Sequence, residues 1–155
     1  MNRKLAIALA TFFGCGYFPW GPGTIGSLAG LGIAALLHGN GGFGRPVLLI
    51  LTLLLLGPAI WAATHTARII GREDPGLVVV DEVLGQWVTL LGAAIRDWKT
   101  LLAAFLLFRL FDIWKPWPIK KFEKLPEGFG IIADDVVAGL YGAGFLWLGR
   151  AFELY

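Results

Sequence analysis

Four long apolar runs, residues 24–38, 47–63, 77–95 and 131–152, and a shorter one at 101–114 alternate with breaks rich in glycine, proline and charge. Runs of this length and apolarity read as hydrophobic helices of a small integral membrane protein. With 57% hydrophobic and 15% charged residues and a mean hydropathy of +0.71, the chain is too apolar for a soluble domain of ordinary make-up. The expectation is an all-α fold: one integral membrane domain over residues 1–155, a polytopic bundle of about four to five hydrophobic helices with a short N-terminal interfacial helix. The first and fifth runs fall below the roughly 20 residues of a full span, and are expected to tilt or to cross where the protein is thin.

The breaks are residues 39–46, rich in glycine; 72–76, containing Asp74-Pro75-Gly76; 96–100, short and charged; and 115–130, with three prolines. Placing the N-terminus in the cytoplasm puts Arg68, Arg72, Lys115, Lys120, Lys121 and Lys124 inside and leaves Arg45, Arg96, Lys99 and Arg150 outside. The positive-inside rule favours that orientation. Trp20, Trp114 and Trp117 then fall at the inner interface and Trp98 at the outer one. Residues 2–15 superficially resemble a secretory leader closing on Gly14-Cys15, but bulky Phe13 and the patterned turn that follows fit a short helix at the membrane surface better. A single cysteine excludes a disulfide framework, and His38 and His65 stand alone, away from zinc spacing. A formal charge of +2 gives no reason to expect nucleic acid as a partner.

Against this background five carboxylates stand out: Asp81, Glu82, Asp112, Asp134 and Asp135, all within or at the ends of apolar runs. An Asp at the centre of a membrane helix costs roughly 2.5 to 3.5 kcal/mol on insertion scales, so several together need cations, a polar cleft or an interfacial position. The topology above brings all five toward the inner face from separate segments. Arg109 and nearby lysines could neutralise two or three as buried ion pairs; the others would remain uncompensated. A bound cation answers the excess, and an oxygen-only donor set favours Mg²⁺, which commonly completes its shell with substrate phosphate. Glu82, Gln86 and Thr89 form a polar stripe on one side of a helix. Gly85 on that helix and Ala138, Gly139 and Gly142 on the last one make small-residue seams for close packing.

Two further stretches carry polar chemistry. Residues 19–27 run from a Gly/Pro turn into a helix with Thr24 as expected N-cap, and the amides of Gly23 to Gly26 with the Thr24 and Ser27 hydroxyls could hold an anion, or simply start a helix. In residues 108–118, Arg109, Asp112 and Lys115 share a face before Pro116 ends the helix. Arg109 could orient Asp112 and Lys115 could meet a phosphate, while the Trp and Lys residues would serve equally as an interfacial anchor.

At these residues the chain resembles the bacterial phosphatidylglycerophosphatase A family. The resemblance rests on PGTIGS at 22–27, DEVLGQW at 81–87, FRLFDIWKPWPI at 108–119 and GFGIIADDVVAG at 128–139, in family order. Residues 124–127 are less basic and less glycine-rich than that pattern, and Cys15 occupies a place usually held by a small residue. The resemblance implies a Mg²⁺-dependent phosphatase of the bacterial inner membrane, its active site facing the cytoplasm, that converts phosphatidylglycerophosphate to phosphatidylglycerol. It implies Asp81, Glu82, Asp112, Asp134 and Asp135 as metal-binding and catalytic acids, with Gly23, Thr24, Gly26, Ser27, Arg109 and Lys115 around the substrate phosphate.

Rival phosphatase chemistries lack their residues. Six positions after Cys15 stands Gly21, not the arginine a thiolate enzyme needs; no Asp-x-Asp pair exists; and neither histidine lies in an arginine cluster. Metal-activated water attack is the mechanism expected, with an aspartyl-phosphate intermediate still open. A small ion- or proton-coupled transporter is the alternative, and it expects carboxylates spread through the depth of the bilayer rather than gathered at one side.

Overall fold

A computed structural model describes residues 2–39, 44–94 and 97–152. Seven α-helices occur among them: α1 Arg3–Ala10, α2 Pro22–Gly39, α3 Arg45–Ile70, α4 Val80–Leu91, α5 Trp98–Trp114, α6 Ile119–Phe122 and α7 Gly128–Ala151. No strand occurs among the described residues, as expected from the apolar runs. At 1.5 Å per residue α3 and α7 reach about 39 and 36 Å, and these two are long and apolar enough to cross a bilayer. The apolar α2 is shorter. Leu49, Ile50, Leu53 and Leu54 on α3 and Leu140, Phe145 and Leu148 on α7 are exposed, an apolar belt suited to lipid and costly in water.

Helix ends follow local chemistry. Pro22 opens α2, where its fixed φ suits a first helical turn, so Thr24 lies inside the helix rather than at the expected cap. Asp97 caps α5 by accepting from the Thr100 N–H at 2.9 Å, and that bond holds its carboxyl below the usual range. The fifth run therefore starts its helix three residues earlier than hydropathy alone indicates. Lys115 closes α5 in the left-handed region at φ 46° just before Pro116, and Gly71 closes α3 at φ 75°.

The third run departs most from expectation. Only Val80–Leu91 is helical, about 18 Å, and residues 72–79 approach it as non-helical chain. Ile95 and Arg96, at the end of that run and the start of its break, lie outside the described residues, as do residues 40–43. The short helix α4 is the hub of the bundle: Val83 and Trp87 pack toward α2 and α5, Val80 and Leu84 toward α3, and its glycine face toward α7. A Cβ at Gly85 would strike the Phe108 ring and the Asp135 carbonyl, one at Gly139 the Gly85 carbonyl, and one at Gly142 the Thr89 side chain. The expected small-residue seams thus let α4 and α7 meet at backbone distance; Thr89 donates to the Gly139 carbonyl across that contact as well as to the Gly85 carbonyl of its own helix.

Helix α1, about 12 Å long, is too short to span and lies along α3 with Ala6 and Ala10 buried. After it the chain turns through Phe12, Phe13 and Gly14, all at positive φ, and Gly16 then packs on the Leu77 carbonyl. Val79 donates to the Ala10 carbonyl at 2.8 Å, fixing the base of α4 to this hairpin.

Candidate active site

The α4–α7 contact places Asp81 and Glu82 in the first turn of α4 opposite Asp134 and Asp135 in the second turn of α7. Asp112 descends from the last turn of α5. All five acids and Lys115 line one cavity of about 880 Å³, to which residues 71–74, Gly76 and residues 123–127 also contribute. The convergence expected from topology is present. The acids gather at the loop end of the bundle rather than along its length.

The bases divide the acids into two groups. Arg109 Nη1 donates to Asp112 Oδ2 at 2.6 Å, and Lys115 Nζ donates to Asp134 Oδ2 at 2.5 Å and to Glu123 at 3.3 Å. Asp81, Glu82 and Asp135 have no ion pair with a base among the described residues, and one carboxylate oxygen from each lies within 4.8 Å of the other two. Asp81 Oδ1, Glu82 Oε2, Asp134 Oδ1 and Asp135 Oδ2 are buried without a hydrogen-bond partner. Buried polar atoms are nearly always satisfied, and like charges at this separation repel strongly away from water. Three carboxylates that converge in this way and each keep a buried oxygen without a partner, with no nitrogen or sulfur donor among them, fit a hard divalent cation.

Burial opposes the charge on Lys115, but the hydrogen bond and charge of Asp134, reinforced by Glu123, outweigh it and raise the ammonium pKa above the ordinary lysine value. Lys115 is therefore a fixed cation at the cavity wall. Asp74, from the Asp-Pro-Gly break, also lines the cavity, and desolvation raises its carboxyl pKa despite attraction to Lys115.

The α2 start behaves differently. Gly23 packs where a Cβ would collide with the Glu82 carboxylate and crowd Arg109, so it supports the acids from behind. Ser27 donates to the Gly23 carbonyl at 2.9 Å, and Gly26 packs on Val79. Gly23, Thr24, Gly26, Ser27 and Arg109 do not line the acid cavity. Sequence reasoning passed over Asp74 and Glu123, which sit in segments read only as a turn and as a basic loop. Proximity to the acids comes from the fold, and no local pattern marks it.

Residues 8–150 match the family described as Phosphatidylglycerophosphatase A. A phosphatidylglycerophosphatase A from Escherichia coli is 39% identical over 142 residues, covering 90% of this chain and 80% of the relative. One from Haemophilus influenzae is 42% identical over 134 residues, covering 86% and 81%. A Bacteroides thetaiotaomicron protein, provisionally named a phosphatidylinositol-3-phosphatase, is 39% identical over 145 residues, covering 88% of each chain. No solved structure matches significantly.

Proposed function

The chain belongs to the phosphatidylglycerophosphatase A family, and we propose that it releases phosphate from phosphatidylglycerophosphate by Mg²⁺-assisted attack of water at the cytoplasmic face of the bacterial inner membrane. That it is a phosphatidylglycerophosphatase follows from the family and its named members. The observation that carries the metal-dependent reading is the trio Asp81, Glu82 and Asp135, whose oxygens converge without a base to neutralise them. These three would hold the ion, which when bound supplies Lewis-acid polarisation of the phosphate oxygens.

The chain's own groups account for the rest. Lys115 binds the phosphate as a positioned cation, with Asp134 and Glu123 fixing its ammonium. Arg109 locks Asp112 in place and keeps that wall of the cavity rigid. Asp134 is the proton acceptor: Oδ2 is committed to Lys115, while Oδ1 is buried and free to take the proton of the attacking water. As the bond between phosphorus and the glycerol oxygen breaks, the proton returns to the leaving alkoxide. The acyl chains stay in the bilayer, for which α3 and α7 are the clearest spans and α2, α4 and α5 complete a polytopic bundle of four to five hydrophobic helices. The cytoplasmic orientation is supported by Arg68, Arg72, Lys120, Lys121 and Lys124 at the cavity end of the chain. The three relatives above all carry phosphatase names and the acids lie around one cavity, which supports hydrolysis over transport.

Purified protein in detergent should release inorganic phosphate from phosphatidylglycerophosphate, lose that activity in EDTA and regain it with added Mg²⁺. Full turnover in EDTA would refute metal dependence, and absence of turnover in any divalent cation would refute the phosphatase reading.

A further inference from the structure

The acid cavity has two tiers of opposite character. Its floor carries the trio and Lys115, while its mouth carries Arg68, Arg72 and Lys124 together with Glu73 and Glu127. Arg68 donates to Glu127 Oε1 through both Nε and Nη2, which commits one edge of the guanidinium and leaves Nη1 on the other. Arg72 and Lys124 form no ion pair among the described residues. Arg68 also lines a second cleft, of about 250 Å³, between α1 and α3, whose surface is mainly apolar and whose lining combines Ala6, Trp61 and Ile69 with Arg3 and His65. It therefore stands on the threshold between the polar cavity and an apolar cleft.

A substrate with two phosphates cannot place both on an acid-lined floor whose cation, Lys115, is already shared with Asp134 and Glu123. The second must lie where basic groups collect, and the guanidinium fork matches its paired oxygens. We propose that Arg68, with Arg72, binds the phosphodiester of the substrate at the cavity mouth and is the group that discriminates this lipid from one carrying the phosphomonoester alone. This rests on the phosphatase reading above. The lipid then runs from the floor, where its terminal phosphate reacts, past Arg68 toward the apolar cleft and the bilayer.

The test compares phosphatidylglycerophosphate, which carries both phosphates, with phosphatidic acid of the same acyl chains, which carries only the monoester. Arg68→Gln should raise KM for phosphatidylglycerophosphate by about tenfold, the worth of one charge-assisted contact. Its kcat/KM ratio for phosphatidylglycerophosphate over phosphatidic acid should fall by a similar factor, and Arg68→Lys should recover part of it. Because Arg68 also pairs with Glu127, Glu127→Gln is the companion variant: it removes the ion pair but keeps the guanidinium, and its substrate ratio should stay near wild type. Equal losses on both substrates in Arg68→Gln, an unchanged ratio, or a ratio that falls as far in Glu127→Gln would overturn the proposal. A wild-type enzyme that releases phosphate from phosphatidylglycerophosphate with the ratio insensitive to Arg68 would sink this subsite alone; a wild-type protein inactive on that lipid would sink the phosphatase reading with it.

Discussion

Lys115 Nζ lies 2.5 Å from Asp134 Oδ2, joining the end of α5 to the second turn of α7 across the cavity wall. The contact neutralises one acid of the cluster and fixes a cation beside the others. Removing the ammonium leaves a buried carboxylate unpaired, a loss of about 3–5 kcal/mol for pairs of this kind. Lys115→Met should therefore lower thermal stability in detergent as well as cut phosphate release by about 10²-fold or more. Unchanged stability, measured by scanning calorimetry, would mean that the pair contributes nothing to the fold.

The same pair sets a pH dependence. The ammonium pKa of Lys115 is raised above that of the unfolded chain, so its contribution to stability is fully present below the ordinary lysine value of roughly 10.4 and is lost only as pH rises through the higher folded value. Stability attributable to Lys115, taken as the difference between wild type and Lys115→Met, should stay flat from neutral pH to about 10. A decline between pH 7 and 9 would contradict the assignment.

Asp74 should behave in the opposite sense. Desolvation at the cavity rim raises its folded pKa; with the side chain still exposed to solvent the effect is small, but the ionised form weighs against the folded state, and stability declines as pH climbs from the unfolded value of about 3.9 to the folded one. In EDTA at neutral pH, Asp74→Asn should melt at a higher temperature than wild type, with the gap closing as pH falls toward 4. A lower melting temperature for the variant would show that attraction to Lys115 outweighs desolvation.

The trio should show a trade between stability and activity. Asp81→Asn, Glu82→Gln and Asp135→Asn each remove one of three mutually repelling carboxylates. In EDTA each should melt no lower than wild type while phosphate release with Mg²⁺ falls by about 10³-fold. Near-normal turnover in all three would remove them from the site.

The glycine seam offers a structural control. Gly85→Ala must displace the Phe108 ring and the Asp135 carbonyl, and should cost about 1–3 kcal/mol. Gly32→Ala on α2 meets open space and should be neutral or stabilising by up to about 1 kcal/mol. Equal melting temperatures for the two variants would contradict the close α4–α7 contact.

Much of this was legible before any coordinates, because the signals are local. Helical class follows from the length and apolarity of the runs, the glycine seams from spacing, and the Arg109–Asp112 contact from three-residue separation. What stayed hidden depends on distant residues. Lys115 reaches Asp134 across 19 positions, and that reach decides which acids remain uncompensated. Ser27, read as a phosphate ligand, turns back to its own helix at Gly23, a bond that sequence cannot weigh against an anion. Hydropathy gave the third run a length its helix does not have, since Val78 and Val79 are buried without being helical.

The decisive experiment is a calorimetric titration of Mg²⁺ into EDTA-stripped wild type and Glu82→Gln. Wild type should bind saturably, and the variant should lose that binding or weaken it by at least about tenfold, in line with loss of a charged ligand. Equal affinity in the two proteins, or no binding by wild type, would remove the cation from the acid trio.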